Sequence, residues 1–462
     1  MTRPSWEEIQ NSIKNRMNEA SVHEICTNDF LDKTRKVYDG ATGLVDWQSI
    51  GDLSTSDIVA MEDLQDSDNA IIAKFAIIKL NGGLGTSMGL SRAKSLIRIR
   101  RDATFFDIIL KQLHHLREKT GIQIPLLFMN SFNTRNDTLE YPGIASVNAS
   151  QELGADFLQN QVPRLDAETL LPIGDGSQSA HWCPPGHGDI YNSLQISGML
   201  ESLLSRGFSH AFISNGDNLG AVMHSGIAGF MVREGLDFSM EVTPKTRADI
   251  KGGVLYRSLT GSKRIELLET AQVPADHKSD FEDIDRFQDF SINNLWVNLE
   301  ALRDRLKQGP LSLSLIVNQK KFEERPVLQL ESAMGAAVGQ FDRTRIVRVP
   351  RSRFAPVKSC ADLLVRRSDA CHLDDSQALV LRAAVEPVVQ LDDNYKGISD
   401  FEAHFPEIPS LYSANSFTVE GPWLFDAPVR IQGDVRLINR TGAQKKISGL
   451  KRESFKDESV KP

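Results

Sequence analysis

Four glycines and two lysines lie close together in the stretch KLNGGLGTSMGLSRAK, which runs from Lys79 to Lys94 and follows the apolar run FAII. A glycine-rich turn after a buried strand presents backbone N–H groups to an anion, usually a phosphate. Lys94 adds a positive charge at the end of the stretch. The pattern therefore favours a phosphate-binding loop, whose glycines are Gly82, Gly83, Gly85 and Gly89.

Two common phosphate-binding loops do not fit these residues. The P-loop needs glycines one and six positions before the lysine, where this chain has Ala93 and Met88. The dinucleotide fingerprint needs G-x-G-x-x-G, but Gly83, Gly85 and Gly89 give one residue too many. A nicotinamide enzyme is therefore weakly supported. Because such loops are structural about as often as functional, partner residues must decide.

The segment FISNGDNLGA at 212–221 begins as a second strand-like run, and the carboxyl end of this run carries Asn215, Asp217 and Asn218. Ligands of open α/β sheets sit outside the carboxyl ends of strands. Asp217 could hold Mg²⁺ there, because this hard cation favours carboxylate and phosphate oxygens. The alternative is that GDN only forms a tight turn.

Two further segments carry polar groups suited to ligand contact. MNSFNT ends an apolar run at 129–134, and PPGHGD at 184–189 places His187 between two glycines. A single histidine is more often structural than functional, so this assignment depends on the other segments.

Composition limits the function classes. The 462 residues suggest two or three domains, and the net charge of −8 argues against a nucleic-acid partner. The four cysteines are far apart, so we expect reduced thiols and a cytoplasmic protein. No apolar run is long enough for a membrane span, and the first ten residues do not resemble a signal peptide.

The elements that must position these residues follow from the periodicity. Apolar runs alternate with helical stretches in the middle of the chain, which predicts an α/β domain with a mainly parallel sheet. Short β-like pieces separated by Gly or Pro follow, which predicts a small β-helix or sandwich. The predicted units are a helical extension over 1–70, the α/β domain over 71–385, the β-rich domain over 386–450 and a frayed tail over 451–462.

The ordered set of motifs resembles the eukaryotic type of UTP–glucose-1-phosphate uridylyltransferase, also called UDP-glucose pyrophosphorylase. The matching segments are LNGGLGTSMG, MNSFNT, PPGHGD, DNLGA, KTRADIKGG, AQVP, NNLW and PVK-x-x-x-DLL. The resemblance implies a Rossmann-like (GT-A-like) nucleotidyltransferase domain and a C-terminal left-handed β-helix. It also implies Mg²⁺-dependent synthesis of UDP-glucose and pyrophosphate from UTP and glucose 1-phosphate, and a possible homo-oligomer formed through the C-terminal domain.

The resemblance also implies roles for particular residues. Lys94, Asp217 and Lys358 would act on the phosphates, with Asp217 holding Mg²⁺. The nucleotide-binding set would be Leu80, Asn81, Gly82, Gly83, Lys94, Gln159, Gly186, Asp217 and Lys358, with Gln159 reading uracil. The sugar-side set would be Gly82, Gly83, His187, Asn215, Gly216, Asp217, Lys251 and Asn293, the last two being the weaker candidates.

The chain departs from the family's usual pattern just before Lys94. Family members usually carry lysine, glycine and proline there, where this chain has Ser91, Arg92 and Ala93. Two alternatives also stay open: another sugar 1-phosphate as acceptor, from galactose or N-acetylglucosamine, or a nucleotide-sugar-binding protein without activity. Retention of Lys94, Asp217 and Lys358 argues against the inactive protein.

Overall fold

A computed structural model describes residues 4–100, 102–246, 249–261 and 263–461. Arg247 and Ala248 of the motif at 245–253 lie outside the described residues, as does Pro462 of the predicted tail. Across the described ranges, every helix is too short or too polar to cross a membrane.

The centre of the fold is an eight-stranded sheet. In chain order its strands are β1 (Ile58–Ala60), β2 (Phe75–Asn81), β3 (Leu126–Asn130), β4 (Asp156–Leu158), β5 (His210–Asn215), β6 (Phe238–Pro244), β7 (Asp289–Asn298) and β8 (Thr344–Arg348). Their spatial order is β1-β8-β6-β7-β5-β2-β3-β4. Neighbouring strands are parallel, except that β7 runs antiparallel to both β5 and β6. The predicted α/β class is therefore confirmed, with a mixed sheet.

Helices cover both faces of this sheet, which explains why its strands are apolar almost throughout. On β2, Ile77 belongs to one hydrophobic cluster while Ala76 and Ile78 belong to the other. The helices are α1 (Trp6–Glu19), α2 (Glu24–Tyr38), α3 (Asn69–Ile72), α4 (Phe105–Thr120), α5 (Arg135–Leu139), α6 (Ile190–Ile196), α7 (Met199–Ser205), α8 (Ser225–Arg233), α9 (Lys278–Glu282), α10 (Leu299–Leu306), α11 (Cys360–Arg367) and α12 (Ile398–His404).

Further strands lie outside the central sheet and outside the parallel strands of the C-terminal segment, which are described below. They are Ile50–Gly51, Arg98–Arg100, Ala103–Thr104, Val162–Pro163, Leu165–Asp166, Trp182–Cys183, Val254–Ser258, Ile265–Leu268, Ile316–Phe322, Arg325–Glu331, Cys371–Leu373, Leu379–Leu381, Trp423–Leu424 and Lys445–Lys446.

The N-terminal segment is helical only as far as Tyr38. Ile9, Ile13 and Met17 of α1 are fully buried, as their helical spacing predicts. The expectation of helix up to residue 70 does not match the structure, because 39–68 forms turns, short strands and three 3₁₀ helices of three residues each, and contributes edge strand β1. Gly40 and Gly43 adopt positive φ, which does not continue a helix.

The C-terminal segment is a stack of parallel strands β9 (Val388–Leu391), β10 (Ser410–Glu420), β11 (Arg430–Ile438) and β12 (Ser454–Val460). The expectation of a frayed tail does not hold for β12, which pairs with β11. Phe455 explains the difference, because its fully buried ring anchors an otherwise charged sequence in the core.

Candidate functional site

A cavity of about 380 Å³ opens where β2 and β5 end, the edge at which α/β sheets bind ligands. It gathers predicted residues from four separate segments of the chain. Those in its lining are Leu80, Asn81, Gly82, Gly83, Lys94, Gln159, Gly186, His187, Asn215 and Asp217.

The glycines of the loop lack side chains for different reasons. Gly85 has φ of +67°, a conformation that favours glycine. A Cβ on Gly82 would lie 2.7 Å from Oε1 of Gln159, so the Gln159 side chain would have to move to accommodate it. A Cβ on Gly83 would meet nothing within 4 Å, and the φ of Gly83 is ordinary. The protein itself therefore does not require glycine at Gly83, and the free space there suits a ligand.

Buried polar contacts hold Asn81, at the end of β2, against Ser95. The amide Nδ2 of Asn81 donates to Asn130 Oδ1 at 2.9 Å and to Thr138 Oγ1 at 2.8 Å, while Ser95 Oγ donates to Asn81 Oδ1. Because Ser95 directly follows Lys94, these contacts fix the end of the loop at its lysine.

Asp137 binds the residues just before Lys94. The backbone N–H of Ala93 donates to Asp137 Oδ2 at 2.7 Å, and Arg92 forms an ion pair with the same carboxylate at 2.7 Å. A proline at position 93 could not make the first bond, because it has no backbone N–H. Hydrogen bonds thus constrain the loop just before Lys94.

Lys94 and Asp217 form an ion pair inside the cavity, with 2.5 Å between Nζ and Oδ2. Both side chains stay partly accessible, at 16% and 24% exposure. The Asp217 turn is held to β2 by the N–H of Gly216, which donates to Leu80 O at 2.8 Å. The pair can therefore meet a ligand without moving its backbone.

The cavity carries little positive charge for a site predicted to bind two phosphorylated substrates. Among the described residues of its lining, Lys94 is the single permanent cation, against the carboxylates of Asp217 and Glu331. Burial raises the pKa of the Glu331 carboxyl. Substrate phosphates would therefore need a further cation, either a metal ion or another side chain.

The donor set fits magnesium only if phosphates complete it. Across the described ranges, no three His, Cys, Asp or Glu side chains lie close enough together to hold a metal ion. Mg²⁺ is usually bound through one or two carboxylates together with substrate phosphates and water. Asp217, facing a cavity beside the glycine loop, matches that arrangement.

Gln159 lies between Gly82 and Gly186, two glycines of the predicted nucleotide-binding set. Its Nε2 donates to Gly186 O at 3.0 Å, its Oε1 faces Gly82, and the residue is 8% exposed. Gly186 has φ of +85°, and a Cβ there would lie 2.6 Å from Ser332 N. The amide of Gln159 is thus held in one place, with an oxygen free to accept and a second N–H free to donate.

His187 is held as a neutral hydrogen-bond donor. Its Nδ1 accepts from the backbone N–H of Met334 at 3.0 Å. Burial lowers the pKa of His187 to about 4, so the ring is uncharged at neutral pH. With Nδ1 accepting, the proton is on Nε2, which can donate to a phosphate or sugar oxygen.

Four predicted residues lie outside the cavity lining: Gly216, Lys251, Asn293 and Lys358. Lys251 is exposed on a turn, and Asn293 has φ of +56° within β7. Lys358 is exposed at the start of α11, where its charge acts on the Glu269 carboxyl and its N–H donates to Asp362 at 2.8 Å.

The lining also contains residues that are absent from the predicted nucleotide-binding and sugar-side sets: Gly85, Ser95, Met129, Pro184 and Glu331. Four of them belong to the quoted loop, to MNSFNT or to PPGHGD, or directly follow Lys94, so their sequence neighbours were the available signal. Glu331 ends the strand Arg325–Glu331 in the segment QLESAMGAA, whose sequence suggests no chemistry.

Comparison with known proteins gives a consistent result. The sequence profile of a family described as UTP–glucose-1-phosphate uridylyltransferase matches residues 27–432. A protein of that name from Hordeum vulgare is 38% identical over 442 residues, which cover 93% of this chain and 92% of the barley protein.

Solved structures are similar over nearly the whole chain. A mutant UDP-glucose pyrophosphorylase from Leishmania major in complex with UDP-glucose superposes with a TM-score of 0.90 at 36% identity, covering 99% of this chain and 100% of that one. A structure of the same enzyme, described in open and closed forms, gives a TM-score of 0.89 at 35% identity and covers 98% of this chain and 99% of that one.

Proposed function

This chain belongs to the UTP–glucose-1-phosphate uridylyltransferase family, and we propose that it makes UDP-glucose and pyrophosphate from UTP and glucose 1-phosphate with Mg²⁺. The observation that carries the proposal is the ion pair of Lys94 and Asp217 inside a cavity bordered by a glycine loop. That arrangement offers one cation for phosphate and one carboxylate for a metal ion.

The reaction is a transfer at phosphorus. An ionised phosphate oxygen of glucose 1-phosphate forms a bond to the α-phosphorus of UTP, and the bond from that phosphorus to the bridging oxygen of pyrophosphate breaks. The nucleophile is already an anion, so no general base is required. The chain's contribution is therefore to orient the two substrates and to offset their repulsion.

Each lining group has a place in this scheme. Lys94 binds the triphosphate, and neutral His187 donates from Nε2 to the sugar phosphate. Asp217 holds Mg²⁺, which when bound neutralises phosphate charge. Substrate phosphates would replace the Asp217 carboxylate as the partner of Lys94, and Asp217 would then be available to hold the metal ion.

Gln159 reads the base. Its Oε1 accepts from uracil N3–H, and the second hydrogen on Nε2 donates to uracil O4. Cytosine presents an acceptor at N3 and a donor at N4, so both contacts would be mismatched. The fixed amide, tied to Gly186, supports selection of UTP over CTP.

Lys358 reaches the reacting phosphates when the protein closes over its substrates. The Leishmania major enzyme is described in open and closed structures, which supports such a movement here. The low positive charge of the cavity lining supports it as well, because the developing pyrophosphate needs a further cation. Lys251 and Asn293 remain candidates for contacts on the sugar side.

The outer parts of the chain have accompanying roles. The parallel stack β9–β12 supports a left-handed β-helix. We propose that this segment governs assembly, through homo-oligomer contacts, or stability. All four cysteines are buried free thiols, which supports a cytoplasmic site of action.

The test is a substrate matrix. Purified protein is given each of UTP, CTP, ATP and GTP with Mg²⁺, in combination with the 1-phosphates of glucose, galactose and N-acetylglucosamine, and pyrophosphate release is measured. The proposal expects the highest kcat/KM for UTP with glucose 1-phosphate. Equal turnover with CTP would refute base reading by Gln159, and a preference for another sugar would refute the acceptor.

A further inference from the structure

The turn that carries Asp217 is packed directly on the segment that leads to Lys358. A Cβ on Gly220 would lie 2.6 Å from Ser352 O and 2.9 Å from the carbonyl carbon of Arg353. A side chain at Gly220 would therefore push the two segments apart. The close approach makes their relative position a fixed feature of the fold.

Asn218 bridges these two segments with buried hydrogen bonds. The residue is 1% exposed, its Nδ2 donates to Arg353 O at 3.1 Å, and its Oδ1 accepts from the N–H of Ala355 at 2.9 Å. The same Oδ1 also accepts from Gly220 N at 3.3 Å within its own turn. One amide thus holds both a donor and an acceptor of the opposite backbone.

A buried ion pair fixes the other side of the same segment. The guanidinium of Arg353 binds the fully buried Glu241 at 2.6 and 2.8 Å and donates to Val222 O at 2.9 Å. Glu241 accepts further bonds from Asn294 and Trp296, both at 2.9 Å. The segment is therefore anchored to the sheet just before it reaches Ala355.

We infer that Asn218 is a positioning residue of the transfer reaction, because it fixes the backbone leading to Lys358 relative to Asp217. Val357, between Ala355 and Lys358, is fully buried, and the capping contacts of Asp362 hold the far side. The movement that brings Lys358 to the phosphates therefore begins with Ala355 held in place relative to the turn that carries Asp217. This inference rests on the role of Lys358 in the proposed function.

A double-mutant cycle tests the inference. Asn218→Ala, Lys358→Ala and the double variant are compared with the parent for kcat, for KM of UTP and for thermal unfolding. The control is Asn439→Ala, which removes another buried amide in the C-terminal stack with four hydrogen bonds, one each to Pro422 and Ala443 and two from Thr441.

Asn218→Ala is expected to lower kcat by about tenfold or more, with a smaller change in KM. If Asn218 acts through Lys358, the double variant loses no more than about threefold beyond Lys358→Ala alone. Amide hydrogen exchange at Ala355 should accelerate in Asn218→Ala. Asn439→Ala should lower the melting temperature without either effect.

Several results would overturn the inference. If the losses of kcat multiply in the double variant, or if amide exchange at Ala355 is unchanged, the positioning role of Asn218 is refuted while the role of Lys358 stands. Parental turnover in Lys358→Ala alone would instead show that the proposed role of Lys358 is wrong, and the inference would fall with it. If Asn218→Ala does not fold, Asn218→Asp replaces it in the cycle, since it keeps the acceptor for Ala355 but loses the donor to Arg353.

Discussion

Replacing Gly83 by alanine separates what the ligand requires from what the fold requires. A Cβ at Gly83 meets no protein atom within 4 Å, and its backbone needs no special φ. The free protein should therefore tolerate Gly83→Ala, and the loss of glycine freedom in the unfolded chain should stabilise it by about 0.4–1 kcal/mol. If the nucleotide packs against Gly83, however, the new methyl group lies in its place.

The magnitude follows from the cost of overpacking a close contact, about 1–3 kcal/mol. At 1.4 kcal/mol per factor of ten, KM for UTP should rise roughly 5- to 150-fold. The assay is pyrophosphate release at varied UTP, together with a melting curve. Gly449→Ala is the matched control, because a Cβ there also meets nothing within 4 Å but lies in the C-terminal segment. A stable Gly83→Ala protein with parental KM for UTP would refute nucleotide binding against this loop.

Three further outcomes are expected. Asp217→Asn keeps the shape but removes the charge that Mg²⁺ prefers, so turnover should fall by roughly a hundredfold or more in Mg²⁺ titrations, and near-parental activity would refute the metal assignment. Lys358→Ala should lower kcat by roughly 10²–10³ with a smaller change in KM, and turnover of this variant within a few-fold of the parent would place Lys358 outside the chemistry. Lys358→Arg should restore little activity, because a planar guanidinium replaces a compact ammonium. His187→Asn keeps an acceptor for Met334 but does not titrate. Because burial lowers the pKa of His187 to about 4, the parent should lose stability relative to this variant as pH falls from 6.5 to 4. Melting temperatures of the two proteins that change in parallel across that pH window would contradict the assignment of His187 as a buried, neutral ring.

Much of the central sheet was predictable because its strands are apolar runs of ordinary length. The apolar run FAII lies within β2, and FISN, which begins the strand-like run at 212–221, lies within β5. The antiparallel course of β7 was not predictable from its own residues. Apolar content shows that a strand is buried, but its direction depends on which neighbours it joins.

The cavity was predictable wherever a local motif marks it. The glycine loop and the Asp217 turn each follow a recognisable strand, so the sheet brings them to one edge. Glu331 is the last residue of a strand without such a motif, and its place in the cavity results from long-range packing. The fixed bridge from Asn218 to Ala355 is likewise invisible in sequence, because its two halves are 137 residues apart.

The most direct test of the central claim is a crystal structure of this chain with UDP-glucose and Mg²⁺. We expect uracil against Gln159, the nucleotide along Gly82 and Gly83, and the diphosphate beside Lys94 and Asp217. A nucleotide bound in another cavity, or one turned so that uracil lies away from Gln159, would contradict it.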